Sequence, residues 1–207
     1  TFTESPELPA EQRATAQTHF RYEDISQDGR AKPIGLPHAL GVGVWHTLLG
    51  QHPLSRGPGR KGVLPILSRM IIEATEDPFP VQRPLAVDGA YELAHTVDEG
   101  GQANRLILNL WVELTGTVGL TYGPHSGDPP RIARVGRVFA EHVFTRAFSP
   151  PGQRKIVRFE DPLLPELPPA RYQSTRVDIE AGEIATSGTT YIDPDTQKVL
   201  GMEAKSI

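Results

Sequence analysis

Most of the chain after residue 63 alternates apolar and polar residues with a period of two, the pattern of half-buried β-strands. The alternation is clearest between residues 104 and 116, where every second residue from Leu106 to Leu114 is apolar and polar residues stand opposite. The pattern predicts strands over residues 63–75, 84–97, 104–116 and 134–148. Turn-forming residues between these segments favour an antiparallel arrangement.

The region before these strands has a different period. Apolar residues recur at helical spacing from Leu36 to Leu48, and Pro37 suits the first turn of a helix. Gly41 and Gly43 each lower the intrinsic stability of such a helix by about 1 kcal/mol relative to alanine. We therefore expect a helix that depends on close tertiary packing.

The two ends of the chain are less regular. Residues 1–18 are polar, with few large apolar groups, and predict an N-terminal tail, and residues 19–25 predict a first strand. Near the C-terminus, the turn sequence DPDTQK at residues 193–198 separates two short strand-like segments and predicts a hairpin. We expect one domain over residues 19–207, with a C-terminal extension from about residue 160.

Taken together, one early helix and at least four long antiparallel strands indicate an α+β domain. The order of the elements predicts a long antiparallel sheet wrapped around a central helix, with extra C-terminal strands.

Composition narrows the classes of function. The net charge is -4, and lysines and arginines are scattered among acids, which argues against nucleic acid as a partner. No apolar run approaches the roughly 20 residues that cross a bilayer, so we expect no membrane partner. The lack of cysteine leaves the redox compartment open, and a cytoplasmic location is the default expectation. The absence of cysteine excludes disulfides, thiolate nucleophiles and cysteine-based zinc sites. No histidine pair has the spacing of a metal site, and we expect neither a metal nor a cofactor.

Titratable residues gather around the start of the predicted helix. Asp24 and Asp28 flank a turn, and His38 follows about ten residues later, near enough for a carboxylate to orient an imidazole as in general-base pairs. The alternative is that both aspartates only stabilise the turn. His46 lies on nearly the same helical face as His38, beside Trp45, where a hydrogen-bonded core histidine is the alternative.

Two further histidines lie in the middle of predicted strands. His95 falls on the apolar face of its strand and points toward whatever the sheet encloses, and His142 occupies a similar position in a later strand. Either histidine is a candidate for lining a cavity.

The element order resembles that of the hotdog fold of acyl-thioesterases and dehydratases, over roughly residues 19–160. The stretch DGRAKPIGLPHAL, residues 28–40, looks like the segment that leads into the central helix of plant-type acyl-carrier-protein thioesterases. GRVFAEHVF, residues 136–144, looks like a late strand of hotdog chains. This resemblance implies a curled sheet around one helix, a thioester substrate, and a homodimer formed by pairing of sheet edges.

The chain also departs from the patterns of these families. Many hotdog thioesterases carry Asp-x-Asp-x-x-Gly at this turn, and Ser26 stands where the second aspartate of that motif would be. The Asp-x-Asn-x-His-x-x-Asn signature of the plant-type enzymes is absent, and Val42 occupies the glycine position of the dehydratase motif. The weight of the catalytic hypothesis therefore shifts to Asp24, Asp28 and His38.

The resemblance implies an acyl-thioester hydrolase acting on acyl-CoA or an acyl carrier protein. In this hypothesis Asp24 or Asp28 activates water together with His38, and the N–H groups between Leu36 and Gly41 hold the oxyanion. The acyl chain lies between helix and sheet. The substrate-binding residues are then Gly41, Trp45, His46 and His95. The alternative, favoured by Ser26, is a noncatalytic protein that binds a lipid or polyketide-like ligand in the same place.

Overall fold

The structure is a computed structural model that describes residues 2–47, 63–78, 80, 83–98, 100–119, 129–146, 150, 169–170, 189–192 and 199–203. Within these residues the chain forms seven β-strands in two antiparallel sheets. The strands are β1 Arg13–Thr18, β2 Leu64–Ala74, β3 Leu85–Val97, β4 Ala103–Val118, β5 Arg131–Thr145, β6 Thr189–Ile192 and β7 Val199–Glu203.

The larger sheet has the strand order β1-β3-β4-β5-β2. Its centre is made of β3, β4 and β5, the three longest strands, and its two edges are β1 and β2. The four long strands predicted from the alternating pattern are β2 to β5, with ends shifted by a few residues. The period-two pattern located them because alternate apolar residues of each strand pack against the apolar cluster beneath the helix.

A short helix packs on one face of this sheet. It begins as α1, His38–Leu40, and continues through wider π-helical turns over Gly41–Trp45; the two segments together are called the central helix. Leu36, Leu40 and Val44 are all buried, as the helical spacing predicted. They pack in one apolar cluster with Leu108, Leu110 and other residues of the helix-facing side of the sheet.

Two glycines bring the helix against the sheet. A Cβ atom added at Gly89 of β3 would lie 2.4 Å from the backbone oxygen of Gly43, and one added at Gly43 would lie 2.8 Å from Val87 Cγ1. Neither position has room for a side chain. The glycines that weaken the helix in isolation therefore permit its backbone to touch the sheet, which is the close tertiary packing that the sequence required.

An antiparallel sheet with this strand order, packed around one helix, is the hotdog arrangement, and the predicted fold class is confirmed. The strands β6 and β7 pair with each other and provide the extra C-terminal strands. The turn predicted between them, residues 193–198, lies outside the described residues.

The prediction of a first strand over residues 19–25 is wrong. This segment contains a 3-10 turn, Tyr22–Asp24, because the carboxylate of Asp24 accepts hydrogen bonds from both the backbone and the side chain of Arg21. Phe20 and Ile25 are nevertheless buried, which explains the strand-like apolar pattern. The first strand is β1, which pairs with β3 from Arg13 opposite Ala90 to Thr18 opposite Leu85.

The N-terminal segment also differs from the expected tail. Besides contributing β1, it covers the outer face of the sheet: Phe2 and Leu8 are buried in a second apolar cluster with Trp111 and Phe139. The Trp111 Nε1–H group donates to the backbone oxygen of Thr3 at 3.0 Å. Sparse apolar residues concealed this packing from the sequence pattern. The division into one domain with a C-terminal extension stays a prediction.

Candidate functional site

The loop between β1 and the central helix holds Asp24 in a tightly bonded position. The Asp24 carboxylate accepts hydrogen bonds from the backbone N–H of Arg21 at 3.0 Å and from its Nε and Nη2 groups at 3.1 Å each. The hydrogen bond from the Arg21 side chain holds the pKa of Asp24 below its ordinary value, against the opposing effect of burial. Asp24 is therefore an ionised carboxylate at neutral pH.

Asp24 also packs against the segment that leads into the helix. Its backbone oxygen accepts from the N–H of Lys32 at 2.8 Å. A Cβ atom at Gly35 would lie 2.7 Å from the Asp24 Cβ atom, so only glycine fits there. The Asp24 side chain therefore packs against Gly35, and the backbone oxygen of Gly35 is the hydrogen-bond partner of His38 Nδ1.

His38 has a partner on each ring nitrogen. Nδ1 lies 3.2 Å from the backbone oxygen of Gly35, and Nε2 lies 3.1 Å from Thr18 Oγ1 at the end of β1. A carbonyl oxygen only accepts, so Nδ1 carries the proton in the neutral ring and Nε2 accepts from the Thr18 hydroxyl. The His38 side chain is exposed, whereas Thr18 is buried. The protein therefore presents an oriented proton acceptor beside a hydroxyl group.

Asp28 belongs to a different arrangement. Its carboxylate accepts from the Ser26 hydroxyl and forms an ion pair with Arg30 at 3.3 Å, and Arg30 also pairs with Glu76 at 2.7 Å. The hydrogen bond from Ser26 lowers the pKa of Asp28. In the part of the chain that the structure describes, no hydrogen bond or ion pair joins Asp28 to His38. Asp28 is thus bonded to residues of its own turn, and its catalytic role stays a prediction.

The predicted oxyanion segment has few N–H groups to offer. The N–H groups of Leu36, Ala39 and Leu40 donate to the backbone carbonyls three residues before each of them, and that of Gly41 donates to the oxygen of His38. Pro37 has no N–H group. Gly41 is half-buried, and its role in substrate binding also stays a prediction.

The other end of the central helix is aromatic. Trp45 meets the ring of His142 edge to face, with 5.6 Å between the centroids, and His46 is exposed beyond it. His142 is 8% exposed, and burial lowers the pKa of its imidazole. His95 is equally buried on the same face of the sheet. Nδ1 of each of these two histidines is enclosed without a hydrogen-bond partner among the described residues.

The middle of the helix separates these two ends. Because Gly43 touches Gly89, the structure has no space for an acyl chain between helix and sheet at that level. Of the predicted site residues, the structure groups Asp24 with His38, and Trp45 with the strand histidine His142. Among the described residues, no hydrogen bond, ion pair or ring contact joins the two groups.

Sequence reasoning missed two sets of polar residues. Thr18 was hidden in the expected tail, and a threonine 20 positions before a histidine has no distinctive spacing. On the outer face of the sheet, Glu92, Asn109 and Glu141 stand in register on three adjacent strands and are all buried. Asn109 donates to Glu92 at 3.3 Å, and Ser68 donates to Glu141 at 2.9 Å. These three residues are recognised as one polar cluster only when the register of the strands is known, because they are far apart in the sequence.

The described residues offer neither a cluster of metal ligands nor a membrane-spanning helix. Among the described residues, no group of three or more histidine, aspartate or glutamate side chains is placed to hold a metal ion. No helix in the same part of the chain is long and apolar enough to cross a membrane.

The chain is similar to several solved structures of thioesterases. A putative oleoyl thioesterase from Lactobacillus plantarum is 14% identical, with a TM-score of 0.49 over 87% of this chain and 61% of that chain. An acyl-ACP thioesterase from Bacteroides thetaiotaomicron is 14% identical, with a TM-score of 0.45 over 89% and 66% of the two chains. A thioesterase superfamily protein from Jannaschia sp. is 13% identical, with a TM-score of 0.44 over 81% and 100%.

No family model and no curated protein matches the sequence. The fold assignment rests on the strand order and on the position of the central helix.

Proposed function

We propose that this protein hydrolyses acyl thioesters, with acyl-CoA or an acyl carrier protein as the substrate. The observation that carries the proposal is the state of His38: an exposed imidazole whose tautomer is set by the Gly35 carbonyl, with Nε2 as the proton acceptor. Hydrolysis of a thioester needs such a base beside the reacting carbonyl carbon. The position of His38 at the start of the central helix, with an exposed side chain, supports access by a bulky carrier.

Asp24 supports the charge that the base acquires. When His38 accepts a proton it becomes a cation, and the ionised Asp24 carboxylate behind Gly35 stabilises that cation by Coulomb attraction. Arg21 keeps the carboxylate in place through its hydrogen bonds. Asp28, bonded within its own turn, has no comparable path to the imidazole.

Steady-state hydrolysis of a panel of acyl-CoA and acyl carrier protein thioesters tests the proposal. We expect His38→Gln to lower kcat by about 100-fold or more, because general-base catalysis contributes factors of that order. His19→Gln, which removes another exposed imidazole nearby, serves as the matched control and leaves kcat unchanged. Equal rates for His38→Gln and the wild-type protein would refute the assignment of the base.

Asp28→Asn decides between the two aspartates. The contacts of Asp28 lead us to expect turnover within about threefold of wild type, whereas Asp24→Asn reduces it about tenfold or more through loss of the stabilising charge. The reverse order would return the catalytic role to Asp28.

A second candidate function is noncatalytic binding of an apolar ligand that carries a polar group. It is favoured by His95 and His142, whose enclosed Nδ1 atoms lack partners among the described residues. Buried polar atoms of this kind are rare in folded proteins unless water or a ligand bonds to them. Tight binding of a hydroxylated fatty acid, together with no turnover of any thioester, would favour this function over hydrolysis.

We further propose a homodimer and a cytoplasmic location. The edge strand β2 has only β5 beside it among the described strands, and its Ile66 and Leu67 side chains are 44% and 47% exposed. An exposed apolar edge strand of this length favours pairing with another strand. Light scattering of the purified protein gives twice the chain mass if two β2 strands pair, and Ile66→Lys shifts the mass toward that of the monomer.

A further inference from the structure

The Thr18 hydroxyl group lies beside His38, and general-base activation of water by His38 gives this hydroxyl no chemical role. Thr18 is the last residue of β1, paired with Leu85 of β3, so its backbone is fixed by the sheet. Its side chain points to the start of the central helix, where Oγ1 lies 3.1 Å from Nε2 of His38. The separation is within the range expected for a nucleophile and its general base.

The direction of this hydrogen bond suits proton removal. Because Nδ1–H of His38 donates to the Gly35 carbonyl, Nε2 is unprotonated and the Thr18 hydroxyl is the donor. The proton on Oγ1 is therefore already shared with the base. A third group, the Gly35 carbonyl, orients the imidazole, as an activated hydroxyl nucleophile requires.

The carboxylate of Asp24 completes the row of groups. It lies behind Gly35, and its negative charge favours the imidazolium that forms when His38 takes the proton. Starting from Thr18, the order is thus hydroxyl, imidazole, carbonyl and carboxylate. The row joins a strand end, a helix start and the loop between them.

We propose that Thr18 Oγ1 is the nucleophile of thioester hydrolysis and carries the acyl group as an ester intermediate. The inference rests on the proposed hydrolase function and specifies how the base in that function is used. It adds a residue that the sequence pattern placed in a tail.

The reaction has two halves, acylation of Thr18 and hydrolysis of the resulting ester. Oγ1 attacks the thioester carbonyl carbon while its proton moves to His38 Nε2, and the C–S bond then breaks as the imidazolium returns the proton to the departing sulfur. A free thiol and an acyl-Thr18 ester result. Water then attacks the ester carbonyl carbon and gives its proton to Nε2, the C–O bond to Thr18 breaks, and Oγ1 regains the proton. The products are a carboxylic acid and the original enzyme.

The competing explanation is that Thr18 only fastens β1 to the helix. A fastening role is tested by stability, whereas a nucleophilic role is tested by an adduct. Thr15 of the same strand is exposed and provides a matched control, since Thr15→Val changes a hydroxyl to a methyl group without touching His38.

The experiment mixes the full-length protein with acyl-CoA, quenches it in acid within milliseconds to seconds, and measures the intact mass and the acylated peptide. Steady-state turnover is measured for wild type, Thr18→Ser, Thr18→Val and Thr15→Val. We expect an acyl adduct on residue 18 in the wild-type protein and in Thr18→Ser. Thr18→Val should lose the adduct and at least 100-fold in kcat while it keeps its circular dichroism spectrum, and Thr15→Val should keep both adduct and turnover.

The outcomes separate this inference from the function on which it rests. If Thr18→Val keeps more than a tenth of wild-type kcat, the nucleophile assignment is overturned and the hydrolase function stands. If the wild-type protein turns over no thioester in the panel, the hydrolase function itself fails. Should Thr18→Val not fold, the adduct decides: acylation at residue 18 of the wild-type protein supports the inference, and its absence during turnover overturns it.

Discussion

The histidines at the two ends of the central helix differ in exposure and in hydrogen bonding. At the first end, His38 is exposed and has a hydrogen-bond partner on each ring nitrogen. At the second end, His142 is buried against Trp45, and its Nδ1 has no partner among the described residues. A ring held by two fixed partners is oriented for proton transfer, whereas an enclosed nitrogen without a partner is suited to receive a ligand. The difference favours chemistry at the first end and ligand recognition at the second.

The contact between helix and sheet separates these ends, and the two helix glycines test it. We expect Gly43→Ala to lower the free energy of unfolding by about 2 kcal/mol, because the new Cβ atom would lie 2.8 Å from Val87 Cγ1. Gly41→Ala is the matched control: its Cβ atom meets only atoms of His46 at 4.0 Å, so the helix gains up to about 1 kcal/mol. Urea unfolding measures both, and changes of the same sign would contradict a closed contact at Gly43.

The dependence of the free energy of unfolding on acidic pH tests the role of Asp24 at the first end of the central helix. Since the folded-state pKa of Asp24 is lowered, its contribution is present above the unfolded pKa near 4 and is lost as pH falls through the folded pKa. Asp24→Asn should cost about 1 kcal/mol at pH 7, a figure reduced by the exposure of Arg21, and should flatten the loss of stability below pH 4.

Asp28→Asn is the comparison for this effect, because the pKa of Asp28 is also lowered but its side chain stands in an exposed turn. We expect a smaller change in slope. An equal or larger change would mean that Asp24 is not specially stabilised. Unfolding curves at pH 7, 4 and 3 provide the measurement.

At the second end of the central helix, we expect His142 to have the smallest effect on the free energy of unfolding, and to have it at a higher pH than Asp24. Burial lowers the folded-state pKa of His142 below that of the unfolded chain, so the unfolded state binds the extra proton as pH falls below about 6.5 and stability declines. His142→Phe retains an aromatic contact with Trp45 and should remove this decline, a change of less than about 1 kcal/mol between pH 7 and pH 5.5. His19→Gln should leave the decline in place. A decline that persists in His142→Phe would assign it to another group.

The long strands and the apolar spacing of the helix were predictable because each follows a local period that reports which face is buried. Residues 104–116 alternate so regularly that β4 was found with ends shifted by only one or two residues. The first strand was not predictable in the same way. The short β1 has exposed residues at every second position and only small apolar ones between them, whereas the buried Phe20 and Ile25 give a strand-like pattern to a segment that forms a turn.

The candidate site was predicted only in part. The sequence singled out His38 and two aspartates from residue type and proximity in the chain, and the structure joined one of those aspartates, Asp24, to the histidine through Gly35. Asp28 is nearer to His38 along the chain than Asp24 is. Its carboxylate nevertheless bonds with Ser26 and Arg30, because these partners lie within the same tight turn. Local hydrogen bonds of this kind compete successfully with more distant ones.

By itself, the sequence determined the alternating strands, the helix that needs close packing, and the absence of cysteine chemistry, because these depend on residue type and local period. Only the tertiary structure decided that Thr18 meets His38, that Gly43 closes the middle of the helix against Gly89, and that Glu92, Asn109 and Glu141 share a level. Those relations follow from strand register and from the approach of segments far apart in the chain. No local sequence pattern predicts these contacts, because each depends on how all the strands of the sheet pair and pack together.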